Sequence, residues 1–175
     1  MKIFYIDIEK FKKTHSDDFL KSYCDIKTNN EKRFLEYSTG RFLVKSIAKE
    51  FYNISDPKII LNGNGKPEFK DADLHFNISH SKNIVIACFD NAHCAIDIEF
   101  IKNRDLNKLS KFFKKDFKTQ KDFYKFWTYK EAEYKLGKKI QHYYCQEFLC
   151  DYYLTVASEN NISKSSVLYP VEYQC

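Results

Sequence analysis

Glycine and proline are scarce in this chain of 175 residues, which has four Gly and three Pro and no stretch rich in Gly, Ser or Pro. Because flexible linkers depend on such stretches, the sequence predicts one compact unit. No run of about 18 uncharged apolar residues is present, and the first residues lack the apolar core of a signal peptide. We therefore expect a cytoplasmic protein that has no membrane partner.

Cys-x-x-Cys pairs are also absent, although six cysteines occur, at positions 24, 88, 94, 145, 150 and 175. A chain of this length folds without disulfide staples, so we expect reduced thiols. A zinc cluster of His142, Cys145 and Cys150 is the alternative. Their spacing does not match that of tetrahedral zinc sites, and we set this interpretation aside.

Aromatic and basic residues are plentiful, with 16 Phe, 13 Tyr and a net charge of +5 from 29 Lys and Arg against 24 Asp and Glu. The aromatic content indicates a well-packed core, and the basic excess favours an acidic partner or a phosphorylated ligand. The basic residues are interspersed with acids, and the chain has no aromatic and basic strand motif typical of RNA-binding sheets. We therefore expect no nucleic-acid partner.

The periodicity of apolar residues predicts strands grouped with helices rather than alternating with them, which is typical of an α+β fold with antiparallel sheets. The predicted strands are 2–8, 58–61, 66–69, 74–78, 84–89, 93–99 and 148–157, with 84–89 and 93–99 forming a hairpin. The predicted helices are a short one after Ser16, one from Asn30 to Tyr52, one carrying Leu106 to Phe117, and one from Phe123 to Leu136.

The segment Ala95-Ile96-Asp97-Ile98-Glu99 alternates with a period of two. In an extended strand, Ile96 and Ile98 would face the core, and Asp97 and Glu99 would share the other face. Two carboxylates that close together repel each other, and a hard cation such as Mg²⁺ relieves the repulsion while leaving positions open for a substrate phosphate. The sequence therefore predicts a metal and phosphate site on this strand.

In the last predicted helix, Thr128, Glu131 and Lys135 are three and four residues apart and line one face, whereas Lys130 is rotated by about 100° from Glu131. For an arbitrary helix, Glu131 and Lys135 would be an ordinary surface ion pair. Next to a strand that bears two carboxylates, Glu131 would supply a third metal ligand, and Lys135 would supply a cation for a phosphate oxygen.

Two further motifs have both a structural and a functional interpretation. His80 is either a structural histidine or, between Ser79 and Ser81, one of three short polar donors for an oxyanion. Gly65-Lys66-Pro67 is either a plain turn or part of a ligand site.

Taken in order along the chain, these motifs resemble the Sfp-type 4′-phosphopantetheinyl transferases of the holo-acyl-carrier-protein synthase superfamily. The matching segments are Gly65-Lys66-Pro67, His75-Phe76-Asn77-Ile78-Ser79-His80-Ser81, Ile96-Asp97-Ile98-Glu99, and Phe126-Trp127-Thr128-Tyr129-Lys130-Glu131-Ala132 with Lys135 and Gly137. Each motif is short, but four in the same order make the resemblance specific. It covers roughly residues 31 to 140.

The resemblance implies a pseudo-twofold pair of small α+β lobes, here 1–100 and 101–175, with the active site in the cleft between them. It also implies a monomeric enzyme that transfers the phosphopantetheine arm of coenzyme A to a serine of an apo acyl or peptidyl carrier protein, as in fatty acid biosynthesis. Adenosine 3′,5′-bisphosphate would be released. A non-catalytic module that binds coenzyme A or a carrier protein is the alternative.

Carried over by position, the family's magnesium ligands are Asp97, Glu99 and Glu131, with Mn²⁺ as a possible substitute for Mg²⁺. Glu131 would also provide the base, either directly or by orienting a metal-bound water, and Lys135 would assist catalysis. The positions implied to contact coenzyme A are Lys32, Arg33, Gly65, Lys66, Pro67, Ser79, His80, Lys130 and Lys135. Glu36 stands where longer relatives often have a basic residue, so the 3′-phosphate would be held more weakly or through other contacts.

Overall fold

The computed structural model describes residues 1–162 and 168–171, and Cys175 lies outside them. The helices are α1 Ile8–Thr14, α2 Asp17–Lys21, α3 Glu31–Tyr52, α4 Leu106–Phe113 and α5 Gln120–Leu136. The strands are β1 Lys2–Asp7, β2 Ile59–Leu61, β3 Pro67–Phe69, β4 His75–Ser81, β5 Ile84–Asp90, β6 Cys94–Phe100, β7 His142–Phe148, β8 Tyr152–Ser158 and β9 Leu168–Pro170.

The described strands form three sheets, in the orders β4-β5-β1-β9, β2-β3 and β6-β8-β7. Strands β1 and β9 are parallel, and the other described pairs are antiparallel. Helices pack against both larger sheets, so the predicted α+β class is confirmed. The pseudo-twofold pair of lobes and its boundary stay a prediction. None of the described helices is long and apolar enough to cross a membrane.

The hairpin predicted between 84–89 and 93–99 is wrong. Strand β5 pairs with β4 on one side and with β1 on the other, whereas β6 pairs with β8 in another sheet. All seven residues of β5 are buried, so its apolar sequence fits a central strand but does not specify a partner. The chain therefore leaves the first sheet after Asp90 and enters the second at Cys94.

The single strand predicted from 148 to 157 is also wrong, because Phe148 ends β7 and Tyr152 begins β8. Leu149 and Cys150 have positive φ angles of 48° and 64° and form the turn between the strands. Neither is Gly, Asn or Asp, the residues that usually mark such turns.

The helix predicted to carry Leu106 to Phe117 ends earlier than predicted. Lys114 has a φ of 51° and ends α4, so Phe117 lies beyond that helix.

Helix α5 is set by its ends and by a close contact with the second sheet. It begins with a capping box of Thr119 and Asp122 and ends at Gly137, whose φ is +77°. Along its buried side, Ala132 packs with Ala95 of β6 and Ala157 of β8. Small side chains let a helix approach a sheet closely, so α5 lies directly over the strand that carries Asp97 and Glu99.

Candidate active site

A row of polar side chains on β4 joins the two larger sheets. Strand β6 runs beside β4, but its amides bond to side chains there rather than to the backbone. Asn77 Oδ1 accepts a hydrogen bond from Ile96 N at 2.9 Å, Ser79 Oγ from Ile98 N at 3.3 Å, and Ser81 Oγ from Phe100 N at 2.9 Å. Because donors and acceptors both repeat every second residue, the register of β6 against β4 is fixed.

The two serines of this row also hold the two carboxylates of β6. Ser79 Oγ donates to Asp97 Oδ1 and Ser81 Oγ donates to Glu99 Oε2, each at 3.0 Å. Each hydroxyl thus accepts a hydrogen bond from one backbone amide and donates one to the carboxylate one residue before that amide. The motif around His80 therefore has a structural role, which is to orient Asp97 and Glu99.

Lys135, near the end of α5, reaches the same row. Its Nζ lies 2.7 Å from Asp97 Oδ1, 3.0 Å from Ser79 Oγ and 3.0 Å from the carbonyl oxygen of Ile96. An ammonium group has three donors, so these three contacts satisfy it. On the helix face that Glu131 and Lys135 were predicted to share, Lys135 thus contacts β6.

Asp97 is the most constrained carboxylate of the group, at 4% exposure. Burial raises the pKa of its carboxyl to about 6, although Lys135 and the hydrogen bond from Ser79 act in the opposite direction. Its Oδ2 is buried and meets no donor among the described residues. A buried carboxylate oxygen without a partner is costly unless a proton or a cation binds it.

Glu99 and Glu131 differ in how they are held. Glu99 is half-buried, and its Oε1 accepts a hydrogen bond from Trp127 Nε1 at 3.2 Å, so each oxygen has one donor. Glu131 is also half-buried, but no side chain or amide of residues 1–162 and 168–171 forms a hydrogen bond or an ion pair with its carboxylate. The strand carboxylates are therefore oriented by the protein, and the helix carboxylate is not.

The described part of the chain contains no group of three or more His, Cys, Asp or Glu side chains arranged to hold a metal ion. The magnesium site of Asp97, Glu99 and Glu131 thus stays a prediction. For the zinc alternative of His142, Cys145 and Cys150, the structure shows the surroundings of the two cysteines. Cys145 Sγ instead lies 3.0 Å from Thr155 Oγ1, and Cys150 is exposed. The five described cysteines are free thiols.

The turn at Gly65-Lys66-Pro67 is close to the end of α5. Gly65 has a φ of +76°, which favours glycine, and Pro67 starts β3. Between them, Lys66 Nζ donates to the carbonyl oxygens of Lys135 at 3.3 Å and of Cys94 at 3.4 Å. Lysine at a helix C-terminus satisfies free carbonyls and complements the helix dipole, so Lys66 ties the turn to both α5 and β6.

The remaining predicted residues lie on two other surfaces. His80 Nδ1 is 3.3 Å from Glu36 Oε1, and Lys32 Nζ is 3.5 Å from the same oxygen. Arg33, the next residue on α3, has an exposed side chain. Lys130 pairs with Glu133 at 2.8 Å and lines a cavity of about 520 Å³ together with Phe126, Tyr129 and Tyr143.

Three contacts in and around the candidate site were not predicted from the sequence. These are the hydrogen bond of Trp127 to Glu99, that of Ser81 to Glu99, and the contact of Glu36 with His80. A signal for the second exists, because Asn77, Ser79 and Ser81 alternate with the same period as Asp97 and Glu99. The other two contacts join segments distant in sequence, and no local pattern indicates them.

Comparison with known proteins gives several relatives but no match to a family model. The chain is 36% identical over 117 residues to the 4′-phosphopantetheinyl transferase psf-1 of Bacillus pumilus, which covers 59% of this chain and 50% of that protein. It is 38% identical over 106 residues to the 4′-phosphopantetheinyl transferase Sfp of Bacillus subtilis (strain 168), with 53% and 47% covered. The chain thus spans about half the length of the curated relatives it matches, and the resemblance predicted from the motifs is confirmed.

Proposed function

We propose that this chain, a relative of the Sfp-type 4′-phosphopantetheinyl transferases, transfers the phosphopantetheine arm of coenzyme A to a serine of an apo acyl or peptidyl carrier protein. The proposed carriers are those of fatty acid and peptide synthesis. The observation that carries the proposal is the hydrogen-bonded group of Asp97, Ser79 and Lys135, in which Asp97 Oδ2 has no donor among the described residues. The names of the relatives support the type of reaction. The group of Asp97, Ser79 and Lys135 is the proposed location of the reaction.

A divalent cation fits the chemistry of these residues. Asp97, Glu99 and Glu131 offer hard carboxylate oxygens, which Mg²⁺ prefers, and Mn²⁺ accepts the same ligands. The free Oδ2 of Asp97 is the strongest support, since a cation there would offset the cost of burying it. When bound, Mg²⁺ would neutralise charge on the diphosphate of coenzyme A.

Lysines on α5 would neutralise the other phosphate oxygens. Lys135 is the main candidate, and a phosphate would have to compete with Ser79 and the Ile96 carbonyl for its donors. Lys130 is a weaker second cation because it already pairs with Glu133. The turn Gly65-Lys66-Pro67 would lie near the adenine, and Ser79, His80, Lys32 and Arg33 would lie near the 3′-phosphate.

Glu131 would serve as the general base, because its half-buried carboxylate has no partner among the described residues. It would take the proton of the carrier serine as the serine oxygen attacks the phosphorus that bears pantetheine. The bond from this phosphorus to the bridging oxygen of the diphosphate breaks, and adenosine 3′,5′-bisphosphate leaves with that oxygen. Phosphoryl transfer needs mainly alignment and neutralised charge, which a fixed pair of carboxylates and a lysine support.

The test is to incubate the protein with coenzyme A, Mg²⁺ and apo-carrier proteins from fatty-acid and peptide synthesis, and to measure the carriers by mass spectrometry. We expect a mass gain of one phosphopantetheine arm on at least one carrier. A carrier with its serine replaced by alanine, and a reaction with excess chelator, are the controls. Binding of coenzyme A without any mass gain would instead support the non-catalytic module.

A further inference from the structure

Glu36 contacts two of the residues proposed above to lie near the 3′-phosphate of coenzyme A, Lys32 and His80. Its Oε1 is 3.5 Å from Lys32 Nζ and 3.3 Å from His80 Nδ1. The side chain of Glu36 is 12% exposed, whereas those of Lys32 and His80 are 71% and 49% exposed. An anion that belongs to the protein thus already contacts both groups, from the more buried position.

We propose, building on the transferase assignment above, that the Glu36 carboxylate takes the place of the 3′-phosphate beside Lys32 and His80. This chain then binds 3′-dephospho-coenzyme A about as tightly as coenzyme A. A phosphate at this place would meet a carboxylate that repels it, and it would have to displace that carboxylate from Lys32. The phosphate would gain an ion pair with Lys32, but the ion pair of Lys32 with Glu36 would be lost. The 3′-phosphate therefore contributes little net affinity.

The state of His80 supports this conclusion. Burial lowers the pKa of His80, and Lys135 and Lys32 lower it further, while Glu36 opposes them. At neutral pH the imidazole is therefore mainly neutral and has one N–H. The contact with Glu36 places that N–H at Nδ1. Nε2 then presents a lone pair, which cannot donate a hydrogen bond to a phosphate.

The local charge is consistent with the same conclusion. Lys32 and Glu36 cancel each other, and a neutral His80 adds nothing, which leaves Arg33 as the remaining cation of the four residues. Arg33 has an exposed side chain, and an exposed cation attracts an anion weakly because water and salt screen it. The 3′-phosphate would therefore gain at most one weak contact.

The experiment measures affinity by isothermal titration calorimetry on the whole chain with Mg²⁺, using coenzyme A and 3′-dephospho-coenzyme A as ligands. For the unaltered protein we expect the two dissociation constants to agree within about threefold. Glu36→Gln keeps the shape of the side chain but frees Lys32, and it should shift the ratio to about tenfold or more in favour of coenzyme A. Adding Lys32→Ala to Glu36→Gln should remove this gain.

Glu50→Gln is the matched control, since Glu50 is exposed on the same helix and the substitution changes the charge equally. It should leave the ratio unchanged, and thermal melts of all variants establish that they are folded. A strong preference of the unaltered protein for coenzyme A, or an unchanged ratio in Glu36→Gln, would overturn the inference. Failure to bind either ligand would overturn the transferase assignment as well, whereas equal binding without transfer to a carrier would overturn only the transfer.

Discussion

The two sides of the candidate site differ in how much of their geometry the protein itself secures. On β6, Asp97 and Glu99 are each held by a serine of β4, and Lys135 or Trp127 supplies a further donor. On α5, Glu131 has no such partner in the described part of the chain. A strand side that is organised before ligands bind, together with a helix carboxylate that is not, would suit the proposed site if its last ligand is fixed by its substrates.

The largest expected effect is that of Asp97→Ala, which breaks the organised side. Lys135 would lose its only ion pair in the described structure, so we expect a loss of about 2–3 kcal/mol in the free energy of unfolding, below the cost of breaking a fully buried pair. Carrier modification should fall at least about 1,000-fold because a metal ligand is lost. Chemical denaturation and the carrier assay measure the two effects, and substantial remaining transfer would defeat the site assignment.

The second prediction tests the helix side alone. Glu131→Gln should lower the transfer rate by about 100-fold or more through loss of the base. It should change the free energy of unfolding by less than about 0.5 kcal/mol, since no described group bonds to the carboxylate. Glu133→Gln, two residues away, removes the charge of a half-buried carboxylate that pairs with Lys130 and accepts a hydrogen bond from Tyr129, and it should preserve transfer. If Glu131→Gln destabilised the fold as much as Asp97→Ala, the contrast between the two sides would be false.

Several features of the site and of the helices were predictable from the sequence, because they are local. The alternation in 95–99 predicted that Asp97 and Glu99 share a face, and helical spacing predicted that Glu131 and Lys135 do. The span predicted for α3, from Asn30 to Tyr52, differs from the observed helix only in that Asn30 is its N-cap. In each case the period of the pattern equals the period of the structure.

What the sequence did not predict is how elements pair. A period of two tells which side chains of β6 share a face, but not whether β5 or β8 is its neighbour, and the wrong hairpin resulted. The turn at Leu149 and Cys150 has positive φ angles without the residues that usually signal them. Glu36 and His80 meet because α3 packs over β4, so their contact depends on tertiary structure alone.

The third prediction concerns the pH dependence of Asp97, on the strand side of the site. The pKa of Asp97 is raised to about 6, so the folded protein binds this proton more tightly than the unfolded chain does. The part of the stability that depends on this proton is therefore complete below pH 3.8 and is lost as the pH rises through 6. The ion pair with Lys135 is a separate contribution, because it requires Asp97 to be ionised. Protons compete with a cation for the same carboxylate, so the apparent affinity for Mg²⁺ should fall about tenfold from pH 7 to pH 5.

Calorimetric titration of the protein with Mg²⁺ at both pH values tests this competition, and Asp97→Asn is the control because it cannot titrate. The variant should bind Mg²⁺ weakly at both pH values. An affinity for Mg²⁺ in the unaltered protein that does not change between pH 7 and pH 5 would show that Asp97 is not a ligand.

The smallest expected effect comes from Ser81→Ala, which loosens the organised side without removing a ligand. The substitution deletes the hydrogen bond to Glu99 and the acceptor of the Phe100 amide, and we expect a loss of about 1–2 kcal/mol in the free energy of unfolding. Trp127 still holds the other oxygen of Glu99. Transfer should therefore fall only about five- to tenfold, as expected for a misplaced but present ligand.

Ser81→Thr keeps the hydroxyl and should restore most of this activity, whereas a role of Ser81 in packing alone would not be rescued in this way. Ser46→Ala is the matched control, since the Ser46 hydroxyl makes no hydrogen bond with the described residues. Equal transfer rates in Ser81→Ala and Ser46→Ala would mean that the hydrogen bond from Ser81 is not required to orient Glu99. The strand side would then owe its order to the buried contacts of Asp97 and to the hydrogen bond from Trp127 to Glu99, because these would remain as the difference between β6 and Glu131.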